Sequence, residues 1–284
     1  MAASEVAEPG VTVVIPTHAR DAFLEEAIAS VVAQCAPPAA LVVSDDTGSP
    51  DTRAVVERWA AIAPFAVRYL DSSGPGAGTA GASRNAGAAL ATTDVLAFLD
   101  DDDTWHPDFL SETVAVLERE DADFAVAWTV ADEGGYLIAR LRPGLTATNA
   151  VARNPGFVGS NFVMRRERFR SLEGFDATLP VSNDKDLLVR ALQAGLRYAV
   201  VERELVCNRI HREGQLTDKS PRRVEGIRRY MAKHDSLLSP HDRRSLRAQL
   251  ASVQRVSAPG RALRWGYTAQ LVWYRVLLAA QSRR

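Results

Sequence analysis

Four consecutive aspartates, Asp100 to Asp103, directly follow an apolar run that ends at Leu99. The apolar residues predict that this acidic cluster is anchored at the end of a buried strand, whereas most charge runs lie on solvated loops. Four neighbouring carboxylates repel one another, and some must take up protons unless a cation neutralises them. The simplest explanation is a divalent metal ion with hard oxygen ligands, and an acidic surface loop is the alternative.

The composition of the chain excludes several classes of protein. Its 284 residues, 46% of them hydrophobic, are enough for one large domain or for one domain with an appendage. The 34 basic and 35 acidic residues nearly cancel, so no general attraction to nucleic acid is expected. Two cysteines without zinc-ligand spacing indicate a reduced, cytoplasmic chain. Residues 1–10 lack the features of a signal peptide and are expected to be disordered, and no apolar run is long enough to span a bilayer.

Short apolar strands alternate with segments of helical spacing in the first half of the chain. Strands are predicted at 11–15, 41–44, 65–70, 95–99 and 124–130, and helices at 21–32, 53–62, 83–91 and 109–117. This alternation predicts an α/β fold with a mostly parallel central sheet and helices on both faces. Ligands bind beyond the carboxyl ends of the strands in such sheets, so Asp45-Asp46 and the Asp100 cluster predict a cleft along one rim.

The second half of the chain is less regular. A loop leading into a strand is predicted at 154–164, a helix at 186–196 and a short strand at 197–201. After about residue 214 the sequence becomes basic and helical.

The segment Gly76-Ala77-Gly78-Thr79-Ala80-Gly81 matches the GxGxxG pattern of dinucleotide-binding proteins. That fingerprint requires its glycines at the strand-to-helix turn of the first βαβ unit. Here the polar spacer 71–75 separates the glycines from the preceding strand, so a flexible loop before a helix explains the pattern better than a dehydrogenase site does.

Taken in order, the motifs of this chain resemble those of the family 2 glycosyltransferases across about Val11 to Gln215. The segments that carry the resemblance are Val14-Ile15-Pro16-Thr17-His18-Ala19-Arg20, Val42-Val43-Ser44-Asp45-Asp46-Thr47-Gly48-Ser49, Ser83-Arg84-Asn85-Ala86-Gly87, Leu99-Asp100-Asp101-Asp102-Asp103 with Trp105-His106-Pro107-Asp108, Ser182-Asn183-Asp184-Lys185-Asp186-Leu187 with Arg190, and Arg209-Ile210-His211. Each match is weak alone, but their common order makes the resemblance specific.

The resemblance implies a GT-A fold, which is Rossmann-like and nucleotide-binding, over residues 11–218, with a helical C-terminal extension over 219–284. It implies inverting transfer of a sugar, with Asp184 as the base that takes the acceptor proton. Asp102 and His211 would hold Mn²⁺ or Mg²⁺, and a histidine ligand would favour Mn²⁺. The residues implied in binding the nucleotide sugar are Pro16, Thr17, Arg20, Asp45, Asp46, Arg84, Asp100 and Asp101.

Two positions depart from the family pattern. Asn183 stands where the family usually has Glu, and Ala19 replaces the commoner Asn. A UDP-sugar is the expected donor, with dTDP- and GDP-sugars as alternatives, and the acceptor could belong to a polysaccharide, a glycolipid or a natural product. The rival functions are a non-catalytic sugar-nucleotide binding protein and a sugar-phosphate nucleotidyltransferase. The latter would need a glycine-rich loop after the first strand, where this chain has residues 16–20.

The last segment, residues 261–284, is expected to be an association element outside the catalytic core. One stripe at helical spacing is formed by Leu263, Tyr267, Leu271, Tyr274 and Leu278. Tryptophans beside arginines suit a membrane interface, and the segment would then lie peripherally on a membrane. The plainer interpretation, which we favour from sequence alone, is packing on the catalytic domain or on a second subunit of a homodimer.

Overall fold

Strands and helices alternate along the computed structural model, which describes residues 8–132, 139–209 and 219–281. The strands in these ranges are β1 (Glu8–Thr17), β2 (Ala40–Asp45), β3 (Ala66–Asp71), β4 (Thr93–Phe98), β5 (Thr104–Trp105), β6 (Phe124–Ala131), β7 (Phe162–Arg165) and β8 (Tyr198–Asn208). The helices are α1 (Asp21–Val32), α2 (Pro50–Ala60), α3 (Ala80–Ala89), α4 (Phe109–Arg119), α5 (Ala147–Ala150), α6 (Arg166–Ser171), α7 (Asn183–Gln193), α8 (Pro221–Lys233), α9 (Pro240–Ser257) and α10 (Arg261–Gln281).

The strands form one mixed sheet in the order β3-β2-β1-β4-β7-β6-β8-β5. Parallel pairing joins β3, β2, β1 and β4, and it also joins β6 to β8. Only the short strands β7 and β5 pair antiparallel to their neighbours within the described ranges. The predicted α/β fold with a mostly parallel sheet is therefore confirmed.

Each face of the sheet carries its own apolar core, because strands covered on both faces present large apolar side chains in both directions. One core contains Leu24 of α1, Val55 of α2 and Phe109 of α4. The opposite core contains Phe169 of α6 and Leu187 of α7. The helices therefore cover both faces, as the alternating pattern predicts.

Several elements begin at different residues from those predicted. Strand β1 begins at Glu8 rather than Val11, and the backbone N–H of Gly10 donates to Asp94 at 2.9 Å. Residues 8–10, which we expected to be disordered, therefore belong to the strand, and residues 1–7 lie outside the described ranges. Helix α7 begins at Asn183, three residues before the predicted start at Asp186.

The glycine-rich segment from Gly76 to Gly81 connects β3 to α3 as a loop that runs into the first turn of the helix. Thr79 caps α3 by accepting a hydrogen bond from the N–H of Ala82 at 3.1 Å. This agrees with the predicted loop before a helix.

The carboxyl ends of the central strands meet at one edge of the sheet. Thr17 at the end of β1 is in register with Asp45 at the end of β2. On the other side of β1, Val14 is in register with Phe98, the last residue of β4. The Asp100 cluster therefore follows β4 onto the rim that also carries Thr17 and Asp45.

The chain ends in three helices that pack in series. Tyr230 of α8 and Leu246 of α9 join the core beneath α7. Leu271, Tyr274 and Leu278 of α10, which belong to the predicted stripe, pack on α9. None of the helices in the described ranges is both long and apolar enough to cross a membrane.

Candidate active site

The loop between β1 and α1 is tied to the acidic cluster through Asp101. Thr17 donates its hydroxyl proton to Asp101 at 2.8 Å, and the backbone N–H of His18 donates at 3.3 Å. Arg20 donates to Asp101 at 3.2 Å and to Asp102 at 2.7 Å. Asp101 is 5% exposed. It therefore fixes the loop beneath the cleft.

Asp100, Asp102 and Asp103 form the group that could hold a cation. One carboxylate oxygen from each lies within 4.8 Å of the others. Asp103 is buried, and it accepts hydrogen bonds from the Ser160 hydroxyl at 2.5 Å and the Asn208 amide at 2.8 Å. Hard carboxylate oxygens at this spacing suit Mg²⁺ or Mn²⁺.

Burial and mutual repulsion make ionisation of the cluster costly. Burial raises the pKa of Asp101 to about 7, although the charge of Arg20 opposes the change. Burial also raises the pKa of Asp103 well above its ordinary value, and the charges of Asp100 and Asp102 raise it further. A bound cation would offset both effects, because it favours the ionised carboxylates.

Arg84 connects the acidic cluster to the start of α7. Arg84 is 2% exposed, and its guanidinium forms an ion pair with Asp100 and donates to the side-chain oxygen of Asn183 at 3.0 Å. A Cβ at Gly159 would overlap with this guanidinium, so a larger residue there would require Arg84 to shift. The Nε of Arg84 and the amide nitrogen of Asn183 are buried without a hydrogen-bond partner among the described residues.

Asp184 lies in the first turn of α7, beside this connection. Its carboxylate accepts a hydrogen bond from the N–H of Lys185 at 2.7 Å. Burial raises the pKa of Asp184, and the charges of Arg84 and Asp100 act on it in opposite directions. Asp184 is thus close enough to interact electrostatically with both residues. A raised pKa makes its carboxylate a better proton acceptor.

Lys185 is a buried cation beside Asp184 that the sequence did not single out. It is 8% exposed, and its ammonium lies 4.1 Å from the centre of the Tyr230 ring. Burial lowers the pKa of Lys185 to about 8, and the charge of Asp184 opposes the change.

Asp45 and Asp46 differ in how their carboxylates are used. Asp45 is fully buried and accepts hydrogen bonds from the N–H groups of Thr47 and Ser49 and from the Tyr69 hydroxyl, at 2.7 to 2.9 Å. It therefore organises the turn after β2. Asp46 pairs with the exposed ring of His18 at 2.6 Å.

Most of the predicted site residues converge on one edge of the sheet. Those brought there by the described structure are Pro16, Thr17, Arg20, Asp45, Asp46, Arg84, Asp100, Asp101, Asp102 and Asp184. His211, the predicted second metal ligand, lies outside the described residues. Sequence reasoning missed Asp103 as a candidate ligand, although it belongs to the same acidic run, and it had no signal for Ser160.

Solved structures share this architecture. The mannosyltransferase PcManGT from Pyrobaculum calidifontis, solved with GDP-Man and Mn²⁺, aligns with a TM-score of 0.63 and 18% identity over 98% of this chain and 87% of its own. S. aureus TarS, solved with UDP-GlcNAc, aligns with a TM-score of 0.60 and 18% identity over 93% of this chain and 71% of that one. At this level of identity the likeness establishes the fold, which is GT-A.

The family is established by sequence. The profile of glycosyl transferase family 2 matches residues 12–172, and that of glycosyl transferase family group 2 matches residues 95–282. The chain belongs to glycosyl transferase family 2, and the resemblance seen in its motifs is confirmed.

Curated relatives agree with this assignment. The succinoglycan biosynthesis protein ExoO of Rhizobium meliloti (strain 1021) is 33% identical over 218 residues, which are 68% of this chain and 58% of ExoO. The putative glycosyltransferase EpsE of Bacillus subtilis (strain 168) is 27% identical over 66% of this chain and 69% of its own. An uncharacterised glycosyltransferase of Nostoc sp. is 34% identical over 39% of this chain, and the match spans only 34% of that relative.

Proposed function

We propose that this protein is an inverting, metal-assisted glycosyltransferase that moves a sugar from a nucleotide sugar to an acceptor hydroxyl. The observation that carries the proposal is the convergence of Asp100, Asp102 and Asp103 within 4.8 Å at the carboxyl edge of the sheet. The charge of Asp100 also acts on Asp184, so a candidate base stands beside the candidate metal site. Family membership supports sugar transfer. The proposed metal and the proposed base are argued from the geometry of the site.

The donor set fits a divalent cation. Asp100, Asp102 and Asp103 would hold it, and the resemblance adds His211 as a further proposed ligand. When bound, Mn²⁺ or Mg²⁺ neutralises charge that develops on the phosphate oxygens of the leaving group. Arg20 and Arg84 keep Asp102 and Asp100 in place, since each forms an ion pair with one of them.

Asp184 is the proposed general base. It would take the proton from the acceptor hydroxyl as that oxygen attacks the sugar, and its raised pKa favours this transfer. With one base and no second carboxylate assigned as a nucleophile, the reaction is a direct displacement that inverts the sugar carbon. The catalytic domain would comprise residues 11–218, and residues 219–284 would form the helical extension.

The proposed donor is a UDP-sugar, with dTDP- and GDP-sugars as alternatives. TarS was solved with UDP-GlcNAc and PcManGT with GDP-Man, so both base classes occur on this fold. The acceptor would be a hydroxyl in a polysaccharide, a glycolipid or a natural product. The name of the relative ExoO, a succinoglycan biosynthesis protein, supports the polysaccharide class.

A thermal-shift screen of sugar nucleotides, with and without Mn²⁺, tests the proposal. The matching donor should raise the melting temperature more in the presence of the metal, because ligand binding to the folded state stabilises it. Release of nucleotide from that donor then tests for turnover. If one sugar nucleotide binds but is neither transferred nor slowly hydrolysed, the protein is a non-catalytic sugar-nucleotide binding protein, one of the rival functions.

A further inference from the structure

Helix α10 presents an apolar face to solvent. Trp265, Val272, Trp273 and Val276 are 74, 54, 61 and 57% exposed. They lie on one side of the helix, whereas Leu271, Tyr274 and Leu278 on another side pack on α9. Because α10 already has its protein contact on α9, the tryptophan face needs a different partner.

The charge of this part of the chain identifies the chemistry of that partner. Residues 243–284 contain nine arginines and neither aspartate nor glutamate, although the whole chain has a net charge of -1. Arg264 and Arg275 lie along the border between the face that packs on α9 and the exposed face. A partner that covers the tryptophans therefore meets positive charge at the edge, which favours an anionic partner.

A cationic cavity adjoins the same helix. It has a volume of about 260 Å³ and is lined by Lys219, just before α8, and by residues of α8, α9 and α10. Lys219, Arg223 and Arg275 contribute cations, Gln249 and Ser252 contribute neutral polar groups, and none of the residues found to line it is acidic. Three cations around a small cavity suit a phosphate group.

We propose that α10 lies on the surface of an anionic phospholipid bilayer and that the adjoining cavity binds the phosphate of a lipid headgroup. Tryptophan is favoured at the boundary between headgroups and acyl chains, and arginine is favoured beside anionic headgroups. Arg275 belongs both to the border of the face and to the cavity, so one orientation of α10 serves both contacts.

A second copy of the chain fits this face less well. A symmetric dimer places the same surface of each protomer against the other. The arginines of one α10 would then approach those of its partner, and residues 243–284 offer no carboxylate to compensate. The positive charge thus opposes packing on a second subunit, which was one of the two arrangements that we favoured from sequence, whereas an anionic bilayer supplies the missing negative charge.

Flotation of the intact protein with lipid vesicles tests the proposal. The protein should float with phosphatidylcholine vesicles that contain phosphatidylglycerol, and salt should weaken this binding. The double variant Trp265→Ala/Trp273→Ala should lose about tenfold or more in affinity, because the buried apolar surface is removed. The double variant Lys219→Gln/Arg275→Gln should lose the preference for phosphatidylglycerol, because the headgroup phosphate loses two of its cations.

Matched controls lie elsewhere on the surface. Ile62→Ala removes a side chain that is 71% exposed and distant in sequence from α10, and Arg119→Gln removes an exposed arginine from α4; both should float like the parent protein. Absence of flotation with anionic vesicles would overturn the proposal, as would equal binding to neutral vesicles. A dimeric mass in light scattering that is lost in Trp265→Ala/Trp273→Ala would instead assign the face to a second copy.

Discussion

Asp184 is the proposed base, and its place beside Asp100 and its pKa both suit that role. It lies in the first turn of α7, and its pKa is raised by burial. Asp184→Asn should lower kcat by roughly a hundredfold or more and leave donor affinity nearly unchanged, since the base acts on the acceptor in the transition state. Steady-state kinetics and a donor titration measure the two effects separately.

A matched variant controls for the loss of one carboxylate. Asp121→Asn removes an exposed carboxylate that pairs with Arg197, and it should leave kcat and donor affinity unchanged. If Asp184→Asn instead lost donor binding and kept its kcat, Asp184 would be a donor contact and the assignment of the base would be wrong.

Ala19 carries backbone strain in the loop that positions Arg20. Its φ is +52°, a region that disfavours alanine and that glycine and asparagine adopt more readily. Ala19→Gly should raise the free energy of unfolding by about 0.5–1 kcal/mol, as measured by urea denaturation. The same substitution at Ala54, an exposed position inside α2, should lower it by a similar amount, because glycine weakens a helix. A lower free energy of unfolding in both variants would show that the backbone strain at Ala19 is negligible.

At the scale of elements, Asp186 joins α7 to α8. Its buried carboxylate accepts hydrogen bonds from Arg190 at 2.7 Å and from the ring of His234 at 2.8 Å, and Lys233 lies 2.8 Å away. Burial alone would raise the pKa of Asp186, but these partners lower it overall. Asp186→Asn should cost about 1.5–3 kcal/mol of stability at neutral pH, because the half-buried Arg190 loses its ion pair and the buried ring of His234 loses its hydrogen bond to a charged carboxylate.

The pH dependence separates this charge effect from packing. A carboxyl whose folded pKa is depressed stabilises the fold above its unfolded pKa of about 3.9, and this contribution is lost as the pH falls through the lower folded pKa. The stability gap between the parent protein and Asp186→Asn should therefore narrow below about pH 4 in urea titrations. Asp235→Asn, which breaks an exposed ion pair with Arg243, should change stability little. If the difference in free energy of unfolding between the parent protein and Asp186→Asn stayed constant in acid, lost packing and not lost charge would explain the lower stability of the variant.

The limits of α7 and β8 show why element boundaries were harder to predict than the elements. The apolar spacing places α7 at 186–196, but the helix begins at Asn183, where Ser182 turns the chain with a φ of +63°. Strand β8 continues to Asn208 instead of ending near Val201, because it pairs with both β6 and β5. Periodicity reports burial, whereas these ends depend on neighbours that are distant in sequence.

At the scale of the whole molecule, the acidic cluster should couple metal binding to stability. Asp100, Asp102 and Asp103 repel one another when no cation is bound, so Asp102→Asn should not lower the metal-free melting temperature, even though Arg20 loses a partner. The variant should lose the stabilisation by Mn²⁺ and should lose activity. Differential scanning fluorimetry with Mn²⁺ or with a chelator measures the melting temperatures of the metal-bound and metal-free proteins. Asp121→Asn is again the control, and retention of full Mn²⁺ stabilisation and turnover by Asp102→Asn would refute the metal assignment.

The sequence by itself determined the alternation of strands and helices and the position of the acidic run after β4. These properties are local, because apolar periodicity and the residues that end a strand can be recognised from consecutive positions in the sequence. The tertiary structure alone decided which side chains each aspartate contacts. Asp101 is turned to the β1–α1 loop by Thr17, and Asp103 is held by Ser160 and Asn208, which are 57 and 105 residues away in sequence. Neighbouring carboxylates of the same residue type differ only in the partners that folding brings to them, and those partners leave no pattern beside them in the chain.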